Sequence, residues 1–365
     1  MMLGFNKNSP LDELEFKYLE QSREHYRMPI SDQASYSAAY SIRGRRSTME
    51  DRFVLQENVE RKEIAYFAVF DGHGGKFAAD YARDNLLTNL IRKIDERSPS
   101  GSPKRISEIL APRTPSPLNS KKISIDFIDE PYYAQLLNDA ILSTDKDLMA
   151  DPKKPNRAGS TALIALIAGS RLFVANVGDS RGIMCDSEGK AVPLSVDHKP
   201  FQKSESPPRR VEAAGGTVIF THGAWRVNGR VSISRVLGNK LADKEARQLI
   251  ADPEILTFEL CHHKPRFLVL ASDGLWDVLS NEEVVAFLDF RLWEEYLGAR
   301  SLAYYAYLRG SGDNITVVVV DLRNRKWGCS RRSRRRGSRS PRESASSDRG
   351  SRNRDGKKSP NREYP

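Results

Sequence analysis

The chain has 365 residues, 39% of them hydrophobic, which is enough for one large domain or two modest ones. Its three cysteines, Cys185, Cys261 and Cys329, are scattered without a C-x-x-C spacing, so neither a disulfide framework nor a zinc knuckle is expected. The net charge of +10 is concentrated at one end: residues 323–365 hold 16 Lys/Arg and 4 Asp/Glu, which leaves residues 1–322 with a net charge of −2.

The N-terminal extension, residues 1–35, contains a short amphipathic pattern, LDELEFKYLEQ, which predicts a surface helix packed on the domain. It lacks a basic segment followed by an apolar stretch, so we expect no signal peptide. The most apolar segment of the chain, TALIALIAG at 161–169, is about half as long as a membrane-spanning helix requires. These features predict a soluble protein of the cytoplasm, the nucleus or both, and they are silent on oligomeric state.

Residues 36–322 are rich in apolar, β-branched runs that predict buried strands. The runs are IAYFAVF, STALIALIA, RLFVANV, TVIF, RFLVLAS and NITVVVVDL. Helical patterns at 76–95, 132–150 and 281–308 come in blocks and do not alternate strictly with the strands. This order favours an α+β layered domain over a doubly wound parallel sheet.

Two stretches have the composition of loops or tails. Residues 98–122 are rich in proline and serine and predict a loop insertion, in which four Ser/Thr-Pro pairs could be phosphorylated. The tail, residues 323–365, is rich in Arg, Ser and Gly and predicts disorder. It is either a solvated extension or an arm for nuclear import or for binding nucleic acid or an acidic partner, because clustered arginines attract phosphate without reading sequence.

Acidic residues stand at the ends of several predicted strands. Asp71 follows YFAVF, Asp273 follows FLVLAS, and Asp313 directly precedes NITVVVV. Further acids near strand ends are Asp179, Asp277, Glu50 and Asp51. Carboxylates that converge at one rim of a core repel one another, and a bound cation removes this cost. An all-oxygen set suits a hard ion such as Mg²⁺ or Mn²⁺ and does not suit zinc.

Glycines and a histidine follow the first of these acids in the sequence FAVFDGHGG. Gly72 would let the backbone carbonyl turn towards a metal, and Gly74 and Gly75 would let a bulky substrate approach closely. The pKa range of His73 suits proton transfer near neutral pH, and Arg46 supplies a planar guanidinium for phosphate. The pattern predicts phosphoryl transfer to water: a water shared by two ions attacks phosphorus in line, Arg46 holds the non-bridging oxygens, and His73 protonates the leaving oxygen.

Eight segments in order complete this pattern. They are RSTMED (46–51), VFDGHGG (69–75), GSTAL (159–163), ANVGDSRG (175–182), VDHKP (196–200), SISRVLGN (232–239), ASDGLWDVLSNEE (271–283) and GDNITVVVV (312–320). Together they resemble the successive motifs of the metal-dependent PP2C family of serine/threonine protein phosphatases. Any one motif is a weak match, whereas eight in order are specific. The WRVNGR and PEILTFEL segments are similar to the protein-phosphatase-1-like branch of that family.

The resemblance implies a four-layer β-sandwich, in which two antiparallel sheets pack together, helices flank them, and two metals with a weaker third lie at one edge. It assigns Asp71 to both principal metals and the carbonyl of Gly72 to one of them. Asp273 and Asp313 match the remaining protein ligands. The activity that it implies is hydrolysis of phosphoserine and phosphothreonine in proteins.

The resemblance also assigns roles to the other polar residues. Glu50 and Asp51 match acids that act chiefly through metal-bound water. Asp179 and Asp277 match a weaker third-metal site of some members. Arg46 matches the phosphate-binding arginine, and His73 matches the proposed general acid.

One motif departs from the family pattern. The SRxLGD motif ends here in Asn239, so the usual acid is missing. We expect this change to affect local loop geometry more than the metals.

Two other functions compete with the phosphatase. One is a catalytically inactive PP2C-like interaction module whose basic tail binds RNA or nuclear partners, although the intact acid set weighs against it. The other is a phosphatase with an aspartyl-phosphate intermediate. That chemistry needs a second acid two residues after the strand-end aspartate, and His73 occupies that place.

Overall fold

The computed structural model describes residues 36–59, 64–97, 130–201, 207–239 and 247–326. The predictions for the N-terminal extension, for the proline- and serine-rich insertion and for almost all of the basic tail lie outside these ranges. Contacts group Met1–Gly328 into one compact unit, and the second unit, Cys329–Pro365, lies wholly outside the described residues. None of the described helices is long and apolar enough to cross a bilayer.

Fourteen strands occur in the described part of the chain. In chain order they are β1 Ser37–Ile42, β2 Arg52–Gln56, β3 Ile64–Phe70, β4 Gly72–His73, β5 Gly159–Ser160, β6 Ala162–Ala168, β7 Arg171–Val177, β8 Arg181–Cys185, β9 Ala191–Pro193, β10 Val218–Thr221, β11 Ala224–Val227, β12 Glu254–Glu259, β13 Phe267–Ala271 and β14 Ile315–Asp321. One five-stranded sheet has the order β1-β14-β13-β8-β9, and the other has the order β12-β7-β6-β3-β2. Every pair within these two sheets is antiparallel.

Seven α-helices occur in the described ranges, and four of them form the outer layers. In chain order the seven are α1 Phe77–Arg97, α2 Glu130–Ala150, α3 Pro207–Ala213, α4 Leu260–His263, α5 Asp273–Trp276, α6 Asn281–Leu288 and α7 Ala299–Leu308. Helices α1 and α2 pack together and against the second sheet, whereas α6 and α7 pack against the first. The layers are therefore helix, sheet, sheet and helix, which confirms the α+β class predicted from the residue pattern and the sandwich implied by the family resemblance.

Burial on both faces of the sheets explains the unbroken apolar runs. In β3, Tyr66 and Phe70 point into the core beneath α1 and α2, while Phe67 points into the core between the two sheets. All three side chains are fully buried. Successive residues of a strand face opposite sides, so a strand covered on both sides contains no polar positions.

The helical prediction for 281–308 is wrong in its middle. Helix α6 ends at Leu288, a 3₁₀ turn covers Glu295–Gly298, and α7 begins at Ala299. Tyr296 and Leu297 have positive φ angles of 58° and 52°, which a right-handed helix cannot contain. The apolar periodicity continues through this segment, so the pattern did not reveal the break.

Strand register brings the acids to one rim. Phe70 at the end of β3 pairs with Arg52 at the start of β2, so Asp71 and Asp51 lie at the same end of their sheet. In the other sheet Ala271 pairs with Val317, so the residues just after β13 and just before β14 also meet. These are the segments that carry Asp273 and Asp313.

Candidate active site

A cleft of about 340 Å³ opens at this rim. Eight of the ten residues predicted for the site line it: Arg46, Glu50, Asp71, Gly72, His73, Asp179, Asp273 and Asp313. The segment around the β10–β11 hairpin adds Arg226 and Arg230 to the wall. Asp51 and Asp277 are not among the residues that line the cleft.

Three carboxylates form the centre of the cleft. Oxygen atoms of Asp71, Asp179 and Asp273 all lie within 4.8 Å of one another. Burial, followed by repulsion from Asp51 and Asp273, raises the pKa of Asp71 well above its usual range. Burial, followed by repulsion from Asp179, does the same to the pKa of Asp273. Three acids so close together, one of them buried and two partly buried, are costly to ionise unless a cation lies between them.

The chemistry of this group fits a hard divalent cation. Its donors are carboxylate oxygens, without the Cys/His set that zinc takes. Oδ1 of Asp273 is buried and has no hydrogen-bond partner in the described part of the chain. Since buried polar atoms are almost always paired, this oxygen is suited to ligate a metal.

Asp179 also contacts a cation of the chain itself. The ammonium of Lys199 forms a salt bridge with Oδ2 of Asp179, which is 3% exposed. Burial still raises the pKa of Asp179 despite this partner. The resemblance assigned Asp179 to a weaker third-metal site, and in the structure its carboxylate lies beside those of Asp71 and Asp273. Lys199 had no predicted role, although the VDHKP motif contains it.

Arg46 and Asp313 are paired across the mouth of the cleft. Nη2 of Arg46 lies 2.5 Å from Oδ2 of Asp313, and the arginine side chain is 60% exposed. The other Asp313 oxygen accepts the backbone N–H of Asn314 at 2.7 Å. Asp313 therefore borders the cleft outside the three-carboxylate group, and Arg46 must exchange it for a phosphate oxygen if it binds substrate.

Glu50 and Asp51 have different environments although they are adjacent. Glu50 lines the cleft, where its carboxylate accepts Thr48 Oγ1 at 2.8 Å and the Gly75 N–H at 3.0 Å. Asp51 is 3% exposed and accepts Ser272 Oγ at 2.7 Å. Burial raises the pKa of Asp51 to about 6. Asp51 is therefore buried beside Ser272 and does not line the cleft.

Asp277 lies at the C-terminal end of the short helix α5, whose first residue is Asp273. Burial raises the pKa of Asp277, and its own charge contributes to the raised pKa values of Asp179 and Asp273. It thus belongs electrostatically to the site while its side chain lies outside the cleft lining.

Gly72, which follows Asp71, has no room for a side chain. A Cβ atom on Gly72 would lie 2.6 Å from the carbonyl oxygen of Glu50 and 3.1 Å from Cβ of Ala79. Gly74 has a φ of +68°, and a Cβ there would collide with the carbonyl of Arg157. Substrate access was the predicted reason for Gly74, but the structure points to this backbone contact instead. Gly75, with a φ of +104°, does face open space.

His73 contacts the residue at which the motif departs from the family. Nδ2 of Asn239 lies 2.9 Å from Nε2 of His73. Burial lowers the pKa of His73 to about 4. Asn239 was expected to affect loop geometry more than the metals, and the structure adds that its side chain lies against the predicted general acid.

A buried hydroxyl fixes the backbone of Asp71. Oγ1 of Thr161 accepts the Asp71 N–H at 2.9 Å, and the Thr161 N–H donates to the Asp71 carbonyl at 2.8 Å. The same hydroxyl lies 2.8 Å from Oγ of Ser180. Thr161 and Ser180 belong to the GSTAL and ANVGDSRG motifs, but the sequence alone gave no reason to link them to Asp71.

Comparisons with known proteins identify the family to which the chain belongs. The profile of the family described as Protein phosphatase 2C matches residues 37–315. The chain belongs to the protein phosphatase 2C family. It is 42% identical over 289 residues to "Protein phosphatase 1L" of Bos taurus, an alignment that covers 79% of this chain and 72% of the relative. It is 40% identical over 294 residues to "Probable protein phosphatase 2C 59" of Arabidopsis thaliana, covering 80% and 81%.

A solved structure supports this family assignment. The serine-threonine phosphatase 2C from Toxoplasma gondii superposes with a TM-score of 0.63 at 26% identity, covering 78% of this chain and 94% of that one. The protein is therefore a metal-dependent serine/threonine protein phosphatase of the 2C family. Nothing in these comparisons favours the inactive interaction module.

Proposed function

We propose that this phosphatase hydrolyses phosphoserine and phosphothreonine in proteins with two Mg²⁺ or Mn²⁺ ions and a weaker third. Asp71, Asp273, Asp313 and the Gly72 carbonyl would hold the principal ions, and Asp179 and Asp277 the third. When bound, the ions would neutralise phosphate charge and lower the pKa of an attacking water. The supporting observation is that Asp71, Asp273, Asp313 and Asp179 line one cleft. Within it Asp71, Asp179 and Asp273 converge, and Oδ1 of Asp273 has no hydrogen-bond partner among the described residues.

The remaining steps belong to side chains of the cleft. Arg46 gives up its contact with Asp313 and donates two N–H groups to the non-bridging phosphate oxygens. Water oxygen bonds to phosphorus, the bond from phosphorus to the seryl or threonyl oxygen breaks, and His73 gives that oxygen a proton. The low pKa of the buried His73 ring rises when a phosphate dianion lies beside it, because the anion favours the charged ring.

The direct test is hydrolysis of a phosphothreonine peptide and an aryl phosphate by the purified full chain. We expect no turnover in EDTA and restored turnover with Mg²⁺ or Mn²⁺. Equilibrium titration by calorimetry then counts the ions. Turnover that persists after exhaustive chelation would contradict the metal-dependent mechanism.

We further propose that the basic tail, residues 323–365, binds nucleic acid or an acidic partner in the cytoplasm or nucleus. Its 16 Lys/Arg against 4 Asp/Glu support this role. Deleting the tail is expected to abolish retention on single-stranded RNA and on an acidic polypeptide, while metal-dependent hydrolysis of the aryl phosphate continues. Retention of the full chain should weaken steeply between about 50 and 200 mM salt. Retention that is equal with and without the tail would contradict the proposal.

A further inference from the structure

A small strand pairing holds His73 and Asn239 on either side of the same segment. His73 in β4 pairs with Gly159 in β5. The next residue of β5, Ser160, forms a bridge with Leu237: Leu237 N–H donates to its carbonyl at 2.9 Å, and Ser160 N–H donates in return at 3.1 Å. Asn239 follows two residues later and is 3% exposed. Its place beside the histidine is therefore set by the backbone.

Gly238, which lies between Leu237 and Asn239, anchors this arrangement. Gly238 has a φ of +76°, and its N–H donates to Oδ1 of Asp145 at 2.8 Å. Asp145 is in turn bound by the guanidinium of Arg247. A Cβ on Gly238 would lie 3.0 Å from Cγ of Leu148 and closer still to its Cδ2. The chain is thus held just before Asn239, and its side chain has little freedom to leave the histidine.

The amide of Asn239 has a defined orientation. Its Nδ2 lies 2.9 Å from Nε2 of His73 and 3.4 Å from the carbonyl oxygen of Arg157. A carbonyl oxygen only accepts hydrogen bonds, so the amide nitrogen belongs on this side. Oδ1 of Asn239 is buried and has no hydrogen-bond partner in the described ranges.

The ring edge that faces Asn239 is closed to substrate. A Cβ on Gly159 would lie 2.6 Å from Nε2 of His73, 2.8 Å from its Cε1 and 3.0 Å from Cβ of Asn239. Backbone and amide therefore cover the Nε2 edge. Because His73 lines the cleft, Nδ1 is the nitrogen that remains for a ligand.

We infer that Asn239 is a positioning residue of the hydrolysis, whose amide holds the His73 ring with Nε2 turned away from the cleft and Nδ1 towards the leaving oxygen. The inference rests on the proposed function of His73. For the transfer the ring carries protons on both nitrogens, and a half turn of the amide lets Oδ1, which has no partner among the described residues, accept the Nε2–H. The proton on Nδ1 passes to the seryl or threonyl oxygen as its bond to phosphorus breaks, and the neutral ring keeps the proton on Nε2.

A double-mutant cycle tests this role. The variants are Asn239→Ala, His73→Ala and the double variant, measured at saturating Mn²⁺ on a phosphothreonine peptide. Asn239→Ala should lower kcat by about tenfold, a part of the 10²–10⁴-fold that a general acid supplies, with KM changed less than about twofold. In the His73→Ala background the same change should cost nothing further, since residues that act through one another are not additive. Losses that multiply would overturn the inference.

Leaving-group dependence gives a second readout. A dinitrophenyl leaving group needs little protonation, so Asn239→Ala should reduce dinitrophenyl phosphate hydrolysis several-fold less than peptide hydrolysis. Asn239→Asp, which also reaches Nε2, should recover more activity than the apolar Asn239→Leu. Equal losses on both substrates would contradict a role through the leaving oxygen.

The controls separate positioning from stability and from the proposed function itself. Asn89→Ala removes an amide that bonds Thr144 between helices α1 and α2. It should lower the melting temperature without the substrate-dependent loss. Mn²⁺ affinity of Asn239→Ala, measured by calorimetry, should equal that of the wild type. If the wild-type chain with metal hydrolysed neither substrate, the proposed function would fail; if it hydrolysed both and the cycle were additive, only the role of Asn239 would fail.

Discussion

Replacing Asp71 or Asp273 with asparagine is expected to reduce metal-dependent hydrolysis by roughly 10³-fold or more, since loss of even one preorganised donor costs about 10²–10³-fold. Asparagine keeps the shape of each side chain but removes the negative charge that binds the cation. Asp71 and Asp273 both belong to the three-carboxylate group, and Asp273 has the buried oxygen without a hydrogen-bond partner in the described ranges. The measurement is kcat on a phosphothreonine peptide over a range of Mn²⁺ concentrations.

Surface acids provide the matched control. Asp84 lies on helix α1, is 58% exposed and pairs with its neighbour Arg83. Asp84→Asn should change kcat less than about twofold, because an exposed ion pair contributes little. If Asp71→Asn and Asp273→Asn both kept a tenth of the activity or more at saturating metal, the three-carboxylate group would not be the metal centre of this phosphatase.

The strands of the core could be predicted because both faces of each sheet are covered. The runs at 64–70, 160–168 and 314–322 correspond to β3, β6 and β14 within one or two residues. Which strands pair was not in the residue pattern: β1 and β14 are neighbours although more than 270 residues separate them. The sandwich came from the family resemblance, since periodicity gives the burial of a strand and not its partner.

The segment from 281 to 308 shows what periodicity misses. Apolar residues continue at helical spacing, but two consecutive residues, Tyr296 and Leu297, adopt left-handed angles before Gly298. The ring centroids of Tyr296 and of Tyr40 in β1 lie 5.3 Å apart. The helix is thus interrupted where Tyr296 contacts a residue near the other end of the chain. A local sequence pattern cannot predict such a contact.

The residues of the candidate site were also only partly predictable from the sequence. Arg46, Asp71, His73 and Asp273 were found because each stands in a short motif whose chemistry can be read locally. Lys199 was missed because its function depends on a partner 20 residues away, and the contact of Asn239 with His73 spans 166 residues. Both residues stand in quoted motifs, but their contacts are made across the fold, so only the structure reveals which side chain each of them supports.

The metal-free protein is expected to lose stability as the pH rises towards neutrality. Burial raises the pKa of Asp71 and Asp273 well above their usual range and that of Asp51 from 3.8 to about 6. An acid with a raised folded-state pKa contributes its full stability below the unfolded pKa and loses it as the pH passes through the folded pKa. For Asp51 this window is about pH 4 to 6, and for Asp71 and Asp273 it extends higher.

Metal binding should reverse this loss, because a cation among the carboxylates stabilises their ionised forms. We expect the melting temperature in EDTA to fall between pH 5.5 and 7.5, by several degrees for a loss of a few kcal/mol, at about 1.4 kcal/mol per unit of pKa shift. Saturating Mg²⁺ or Mn²⁺ should restore it at pH 7.5. Melting curves with and without metal across this range measure both effects.

Asp273→Asn tests whether repulsion among the carboxylates causes this loss. The variant removes one of the repelling charges, so its metal-free form should melt higher than the wild type at pH 7.5, with a smaller fall across the pH range and little gain from metal. A stabilising effect of charge removal at a buried position is unusual, since most substitutions there destabilise. A metal-free Asp273→Asn protein that melted below the wild type at pH 7.5 would mean that the carboxylates do not repel one another in the folded chain, and the electrostatic reason for a cation at this rim would then be lost.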